Sequence, residues 1–232
     1  MEASLVILGS CGSSRDTWWI VRDILPETKV VFLDDANPSL DTGFLEVGGE
    51  SVPVIRNWDF TEVRNKYCEG DPNGFTHFVC GMGEPMVKKV MAEKALARGM
   101  KPAPTLVSSG SFVQPDCDVG FGGVIHPGAY LFGGGKLGNY VTFMGARCGH
   151  DCAFGDYATV ICANIGGHAH IDRGVFLGLG SVVGHRVYIA PWVRVGVQSA
   201  AIKDIAEPGI VVVGVPAKKR CMADVPSEWL QA

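Results

Sequence analysis

Residues 165–201 read IGGHAHIDRGVFLGLGSVVGHRVYIAPWVRVGVQSAA, and every sixth position from Ile165 is apolar: Ile171, Leu177, Val183, Ile189, Val195 and Ala201. The same series runs upstream. Val113, Val119, Ile125, Leu131, Leu137 and Phe143 stand six apart, a five-residue step leads to Cys148, Phe154 and Val160, and a second such step joins Ile165. Eight of these sixteen anchors are followed directly by Gly: residues 120, 138, 149, 155, 166, 178, 184 and 196. Four places after the anchor, most hexads carry a small or apolar residue such as Ala129, Cys152, Ala158, Ser181 or Ser199; Arg147 and Asn164 break this pattern, each just before a five-residue step. An amphipathic helix needs spacings of three and four, so a strict six excludes it. A short strand with one inward side chain followed by a tight corner accounts for six residues. Three such sides make a triangular coil of about 18 residues, and coils stack by pairing their strands in parallel. The anchors fill a narrow core, and the small residue fits the corner.

The first half, residues 1–107, has a different grammar. Ser4–Leu8 and Lys29–Leu33 are apolar strands, Thr17–Leu25 and Pro85–Arg98 have helical spacing, and Thr76–Cys80 is a further strand. Strand and helix in alternation predict a parallel sheet with helices on its faces, Rossmann-like in organisation. Residues 41–75 read less clearly, apart from a turn at Glu69–Gly74. The division expected is thus an α/β domain over 1–107, an all-β parallel β-helix over 108–212 and a tail over 213–232.

The totals bound the function. Net charge is only −4 with no block of Lys or Arg, which argues against a nucleic-acid partner. No apolar run approaches the ~18 residues that span a bilayer, and residues 1–8 lack the form of a signal peptide, so the expected compartment is the cytoplasm. The eight cysteines then read as buried thiols. Cys148, His150 and Cys152 mimic a metal cluster, but the register assigns both sulfurs inward packing positions and turns His150 outward.

The hexads, together with Val213-Gly214-Val215-Pro216-Ala217-Lys218-Lys219 at their end, resemble the hexapeptide-repeat acyltransferases, and with the Rossmann-like half they resemble the bacterial nucleotide-sugar N- and O-acetyltransferases of bacillosamine and sialic-acid pathways. That resemblance implies a left-handed β-helix, a homotrimer, and transfer from acetyl-CoA to a nucleotide-linked amino sugar, with no metal. The motif Gly149-His150-Asp151-Cys152-Ala153-Phe154-Gly155-Asp156-Tyr157 is similar to the family's catalytic stretch. It implies His150 as general base, supported by Asp151; an imidazole titrating near ~6.5 suits proton removal from an attacking amine. The resemblance further implies Gly167 as backbone donor to the oxyanion, helped by the distortion of the nearby five-residue step. It also implies Gly167, His168, Gly196, Pro216, Lys218, Lys219 and Arg220 as contacts to CoA, although a basic run is equally readable as a solvated face. His126 and His185, far along the chain from His150, receive no role.

Gly9, Gly12 and Ser13 follow a strand and precede a helix, the context in which a Gly-rich turn cradles phosphate. The third Gly of a dinucleotide fingerprint is absent. The family's loop carries His where Ser13 stands. Its acidic pair at the next strand end matches Asp34 and Asp35, and Gly81 is expected to border the same crevice. These residues imply the nucleotide-sugar site. Alternatives remain: O-acetyl transfer to sialic acid or a polysaccharide precursor, an amino-acid acceptor, or a zinc site of the carbonic-anhydrase kind formed by His150, His168 and His170.

Overall fold

The computed structural model describes residues 4–36, 43–71 and 73–230. Pro72 of the expected turn and residues 1–3 of the amino-terminal segment lie outside them. Six strands, β1 (Ser4–Leu8), β2 (Lys29–Leu33), β3 (Phe44–Val47), β4 (Glu50–Ile55), β5 (His77–Cys80) and β6 (Lys101–Pro102), form one sheet in the order β3-β4-β2-β1-β5-β6. Three helices accompany them: α1 (Gly12–Ile24), α2 (Thr61–Tyr67) and α3 (Pro85–Leu96). Leu5 to Leu8 are all buried, the continuous apolar run that a parallel strand covered on both faces demands. The sheet is not wholly parallel, however: β3 pairs antiparallel with β4. Gly48 and Gly49, at φ +60 and +81, make the two-residue hairpin turn between them, since both central positions need positive φ. Helix α1 begins at Gly12 rather than at Thr17, so its first turn opens directly from the Gly-rich loop.

Every one of the sixteen anchors lies on a short strand. Fourteen are buried, and the other two, Val113 and Val119, are half-buried in the first coil. The strands form three parallel sheets, the faces of a triangular prism. Face one begins at Leu106–Val107 and ends at Ile210–Val213; face two runs from Phe112–Val113 to Ala200–Ala201; face three runs from Asp118–Val119 to Tyr188–Ile189. Arg147 and Asn164 point outward on face two, and Ala146 and Ala163 take the buried corner place instead.

The glycines after the anchors do not turn the corners. A Cβ on Gly155 would stand 2.4 Å from the backbone nitrogen of Arg173, and one on Gly149 2.6 Å from that of Gly167. These positions admit only hydrogen because the next coil lies directly upon them. The left-handed conformation falls instead three residues after the anchor, at Tyr140, Asp151, Tyr157, His168, Arg186, Trp192 and Gln198 among others, with φ between 55 and 64. In the two five-residue steps it comes after two, at Gly145 and Cys162.

The α/β half docks on face one. The Cys80 N–H donates to the Gly122 carbonyl, Phe78 stacks on Tyr140 and Tyr140 on Tyr157, and Arg194 grips Glu84 with both guanidinium nitrogens at 2.7 and 2.9 Å. On the other side of the same face, Asp23 of α1 accepts from Ser109. Between them the fully buried Lys88 donates to Thr142 Oγ1 and the Ala158 carbonyl, at 3.2 and 2.9 Å. Burial pushes its ammonium down from 10.5 to about 7, opposed by Cys80 and Glu84. The unfolded chain therefore holds more protons than the folded one between these two values, and stability from this group rises as pH climbs through that window. From pH 7 to pH 9 the wild type should gain stability relative to Lys88→Met by up to ~1.4 kcal/mol per pH unit, read from denaturant unfolding at both pH values. Equal pH slopes would contradict it.

Candidate functional site

Parallel pairing sets residues 147 and 164 side by side, then 164 and 182, then 182 and 200. The corner between faces two and three therefore stacks His150 under Gly167 and His185, and Asp151 under His168 and Arg186. Each left-handed residue donates its N–H one coil back: Asp151 to Gly133, His168 to His150 and Arg186 to Gly167. Cys148 and Cys152 on either side of His150 are buried, and the His150 side chain is 61% exposed. The sulfurs and the imidazole face opposite ways and form no common ligand set.

His150 Nδ1 lies 2.7 Å from Asp151 Oδ2. Donation to that carboxylate leaves Nε2 unprotonated, the tautomer an imidazole base requires. The His150 hydrogen bond holds the Asp151 carboxyl below its ordinary range; slight desolvation opposes this and the His168 ring adds to it. His150 Nε2 rests over Gly167: a Cβ there would come within 3.1 Å of it. Gly167 does not have positive φ, so the close approach of the ring, not the backbone conformation, is what favours glycine there. Nor is this corner distorted. The five-residue steps are absorbed at Gly145 and Cys162, one corner earlier, and the expectation linking them to Gly167 is corrected accordingly. The partly exposed Gly167 N–H makes no hydrogen bond among the described residues.

His168 belongs to the same cluster. Its Nε2 is 3.8 Å from Asp151 Oδ2, and its ring meets that of His150 edge-on at 4.8 Å. His185, expected to be remote, is the next member of the ladder, 5.5 Å from His168; seventeen residues of separation in sequence are one coil in space. His170 stays on face three against Tyr188, so the triad His150, His168 and His170 does not assemble. His126 is elsewhere, buried at the corner between faces one and two, where burial pushes its pKa down to about 4.

Other candidates stand apart from this corner. Pro216 lies beyond the coil of Ala200, which is three rungs along face two from that of His150. Lys218, Lys219 and Arg220 occupy an exposed strand, with Lys219 paired to Glu207. A Cβ on Gly196 would meet Val213 at 2.8 Å. A groove of about 350 Å³ follows face two past Arg147, Gly149, Asn164, Gly166 and Val182.

The strand order of the α/β half reverses between β1 and β5, the place where such sheets form a crevice at the carboxyl ends of their strands. Gly9 (φ +89) leads into it, Gly12 opens α1 with free space around its Cα, and Ser13 is half-exposed. Gly81 is buried; a Cβ would fall 2.5 Å from Ile7 and 3.0 Å from the Ser14 backbone. Asp34 is bound into the loop, accepting from the Ser10 N–H and hydroxyl at 3.0 and 2.6 Å. Asp35 accepts from Trp58 Nε1 and Lys94. Partial burial would raise its pKa, but these donors outweigh it and hold the carboxyl down. Trp58 and Lys94 were invisible as partners in the sequence, because they come from β4's end and α3.

No protein-family model and no curated protein sequence matches this chain. Solved structures do. A mutant of perosamine N-acetyltransferase from Caulobacter crescentus, in complex with CoA and GDP-perosamine, superposes with a TM-score of 0.78 at 21% identity, over 94% of this chain and 97% of that one. The acetyltransferase domain of PglB from Neisseria gonorrhoeae, in complex with acetyl coenzyme A, gives 0.78 at 23% identity, over 95% and 100%. WeeI from Acinetobacter baumannii gives 0.76 at 21%, over 95% and 100%. The fold is theirs. An α/β domain with a mixed sheet precedes a left-handed parallel β-helix, the coils as the hexads predict and the hand as the resemblance implies. No helix among the described residues is long and apolar enough to cross a membrane.

Gly167→Ala tests the contact between Gly167 and the His150 ring. The substitution should leave the unfolding free energy within about 1 kcal/mol but push the His150 ring off Asp151, seen as loss of the fixed tautomer in imidazole ¹⁵N–¹H spectra. An unchanged tautomer would contradict the contact.

Proposed function

We propose that this chain is an acetyl-CoA-dependent N-acetyltransferase acting on the amino group of a nucleotide-linked amino sugar. The observation that carries it is the outward His150–Asp151 pair with Gly167 directly above, on a fold whose solved neighbours include a perosamine N-acetyltransferase bound to CoA and GDP-perosamine. The acceptor nitrogen attacks the thioester carbonyl, His150 Nε2 takes its proton, and Asp151 steadies the imidazolium that results. The carbonyl oxygen gains negative charge, for which the Gly167 N–H is the available donor. Collapse expels the thiolate of CoA, which recovers the proton, and leaves the amide.

Residues 1–107 would hold the nucleotide through the Gly9–Ser13 loop and helix α1's amino end. Residues 108–212 supply the base, and 213–232 with Gly196 hold the CoA. Three rungs of ~4.8 Å each separate the coil of His150 from that of Ala200, about 15 Å along the axis, so an extended thiol-bearing arm is the shape of cofactor that reaches from Pro216 and the basic strand to the base. Location in the cytoplasm follows from that need for acetyl-CoA.

A homotrimer fits the same geometry. The α/β half covers face one, whereas His150 stands on the opposite edge of the prism with the packed core between. The crevice and the base of one chain face apart, so the base that meets a bound sugar comes from a neighbour. Phe112, Tyr130 and Phe132 form an exposed aromatic cluster on face two, with Arg147 over Tyr130 at 4.7 Å, an apolar surface of the kind that associates.

Thiol release from acetyl-CoA with GDP-, UDP- and dTDP-linked amino sugars is the direct test. One amino sugar should support release, and His150→Ala should lower kcat by about 10²- to 10⁴-fold. Release only with hydroxyl acceptors, or none across the panel from folded protein, would overturn the amine assignment.

A further inference from the structure

The His150 corner holds more ligating atoms than proton transfer uses. One nitrogen of His150, one of His168 and an oxygen of Asp151 all lie within 4.8 Å of one another. Their side chains are 61, 41 and 52% exposed and open to the same solvent. Donors arranged tetrahedrally at ~2.1 Å from an ion stand roughly 3.4 Å apart. The two measured pairs, 2.7 and 3.8 Å, bracket that spacing, so rotation of exposed side chains suffices and the backbone need not move. The backbone is also unable to move much: Asp151 and His168 are successive rungs of one column, each tied to the coil before it. Two imidazoles and a carboxylate with a fourth position open are a donor set for Zn²⁺, Co²⁺ or Ni²⁺, not for Mg²⁺ or Ca²⁺, which favour all-oxygen shells. His185 flanks His168 at 5.5 Å, where it orients that ring or adds a nitrogen.

We propose that His150, Asp151 and His168 form a binding site for a divalent transition metal, and that an ion there stops acyl transfer by occupying the imidazole of the base. The second part rests on the function proposed above; the first does not. The metal is an inhibitor here. An ion on Nδ1 forces the ring proton onto Nε2, the nitrogen that would accept the acceptor's proton, and its removal by a chelator restores the free base.

Binding is measured apart from activity, on untagged, chelator-treated protein in buffer free of thiol reductants. Zn²⁺ titrated calorimetrically, and Co²⁺ followed by its visible absorption, should each show one ion per chain. His168→Asn and Asp151→Asn should each weaken binding at least tenfold; asparagine tolerates the left-handed backbone at both positions, and circular dichroism checks that each variant is folded. The exposed thiols are the competing ligands, so Cys11→Ser, Cys162→Ser and Cys221→Ser should leave stoichiometry and affinity unchanged. Absence of binding in the wild type, indifference to both asparagine variants, or loss in a cysteine variant would overturn the site. Where transfer is observed, micromolar Zn²⁺ should inhibit it and a chelator reverse the effect; full activity with the ion bound would overturn the inhibitory role while leaving the site.

Discussion

Backbone hydrogen bonds between successive coils hold the parallel strands of the prism in strict register, and the rest of the structure follows from that register. It converts separations of 17 or 18 residues into contact, so His150, Gly167 and His185 share one column and Asp151, His168 and Arg186 the next. It forbids a Cβ after many anchors, because the next coil stands within 3 Å of where that atom would be. It also keeps Cys148 and Cys152 inside while His150 faces out. A side chain on such a corner needs no loop to position it. Its neighbours are fixed by the same hydrogen bonds that hold the fold.

Much of this was legible in the sequence because a period of six has one physical solution that also buries its anchors. The places where it failed are equally physical. A glycine after an anchor suggests a corner, yet the left-handed position is three residues after the anchor and is filled by Tyr, Asp, His, Trp and Arg as readily. His185 is remote from His150 along the chain and near only once three hexads close a coil. The Gly48-Gly49 pair is a hairpin signal within the sequence, and that hairpin makes the sheet mixed. Lys88, by contrast, gave no signal: a lysine within a helix is ordinarily exposed, and only the docking of α3 on face one buries it.

That docking sets the relation between the two halves. Face one carries a bidentate Arg194–Glu84 pair, a buried lysine and a stack of aromatic rings on one side, and the Asp23–Ser109 contact on the other. Lys88 is the fully buried member of these contacts, and leaving its amine without an acceptor costs more than the bond itself contributes, which opposes separation of the halves. The crevice is therefore held away from the edge that bears His150 in the same chain. Asp34 and Asp35 have partners inside the chain, and the Gly9 and Ser10 amides donate to Leu33 and Asp34, so the amides that open α1 are the groups an anionic ligand would meet.

A site assembled from the crevice of one copy and the base of another makes one demand that a self-sufficient chain does not. Two variants, each silent alone, must complement. Gly12→Glu places a carboxylate where the nucleotide phosphates would sit, in space that is open around that Cα, and His150→Ala removes the base. Co-expressed and co-purified as mixed oligomers, the two should recover acetyl transfer that neither shows alone, since a wild-type crevice then meets a wild-type base across the interface. Mixed oligomers that form but stay inactive would contradict the shared site.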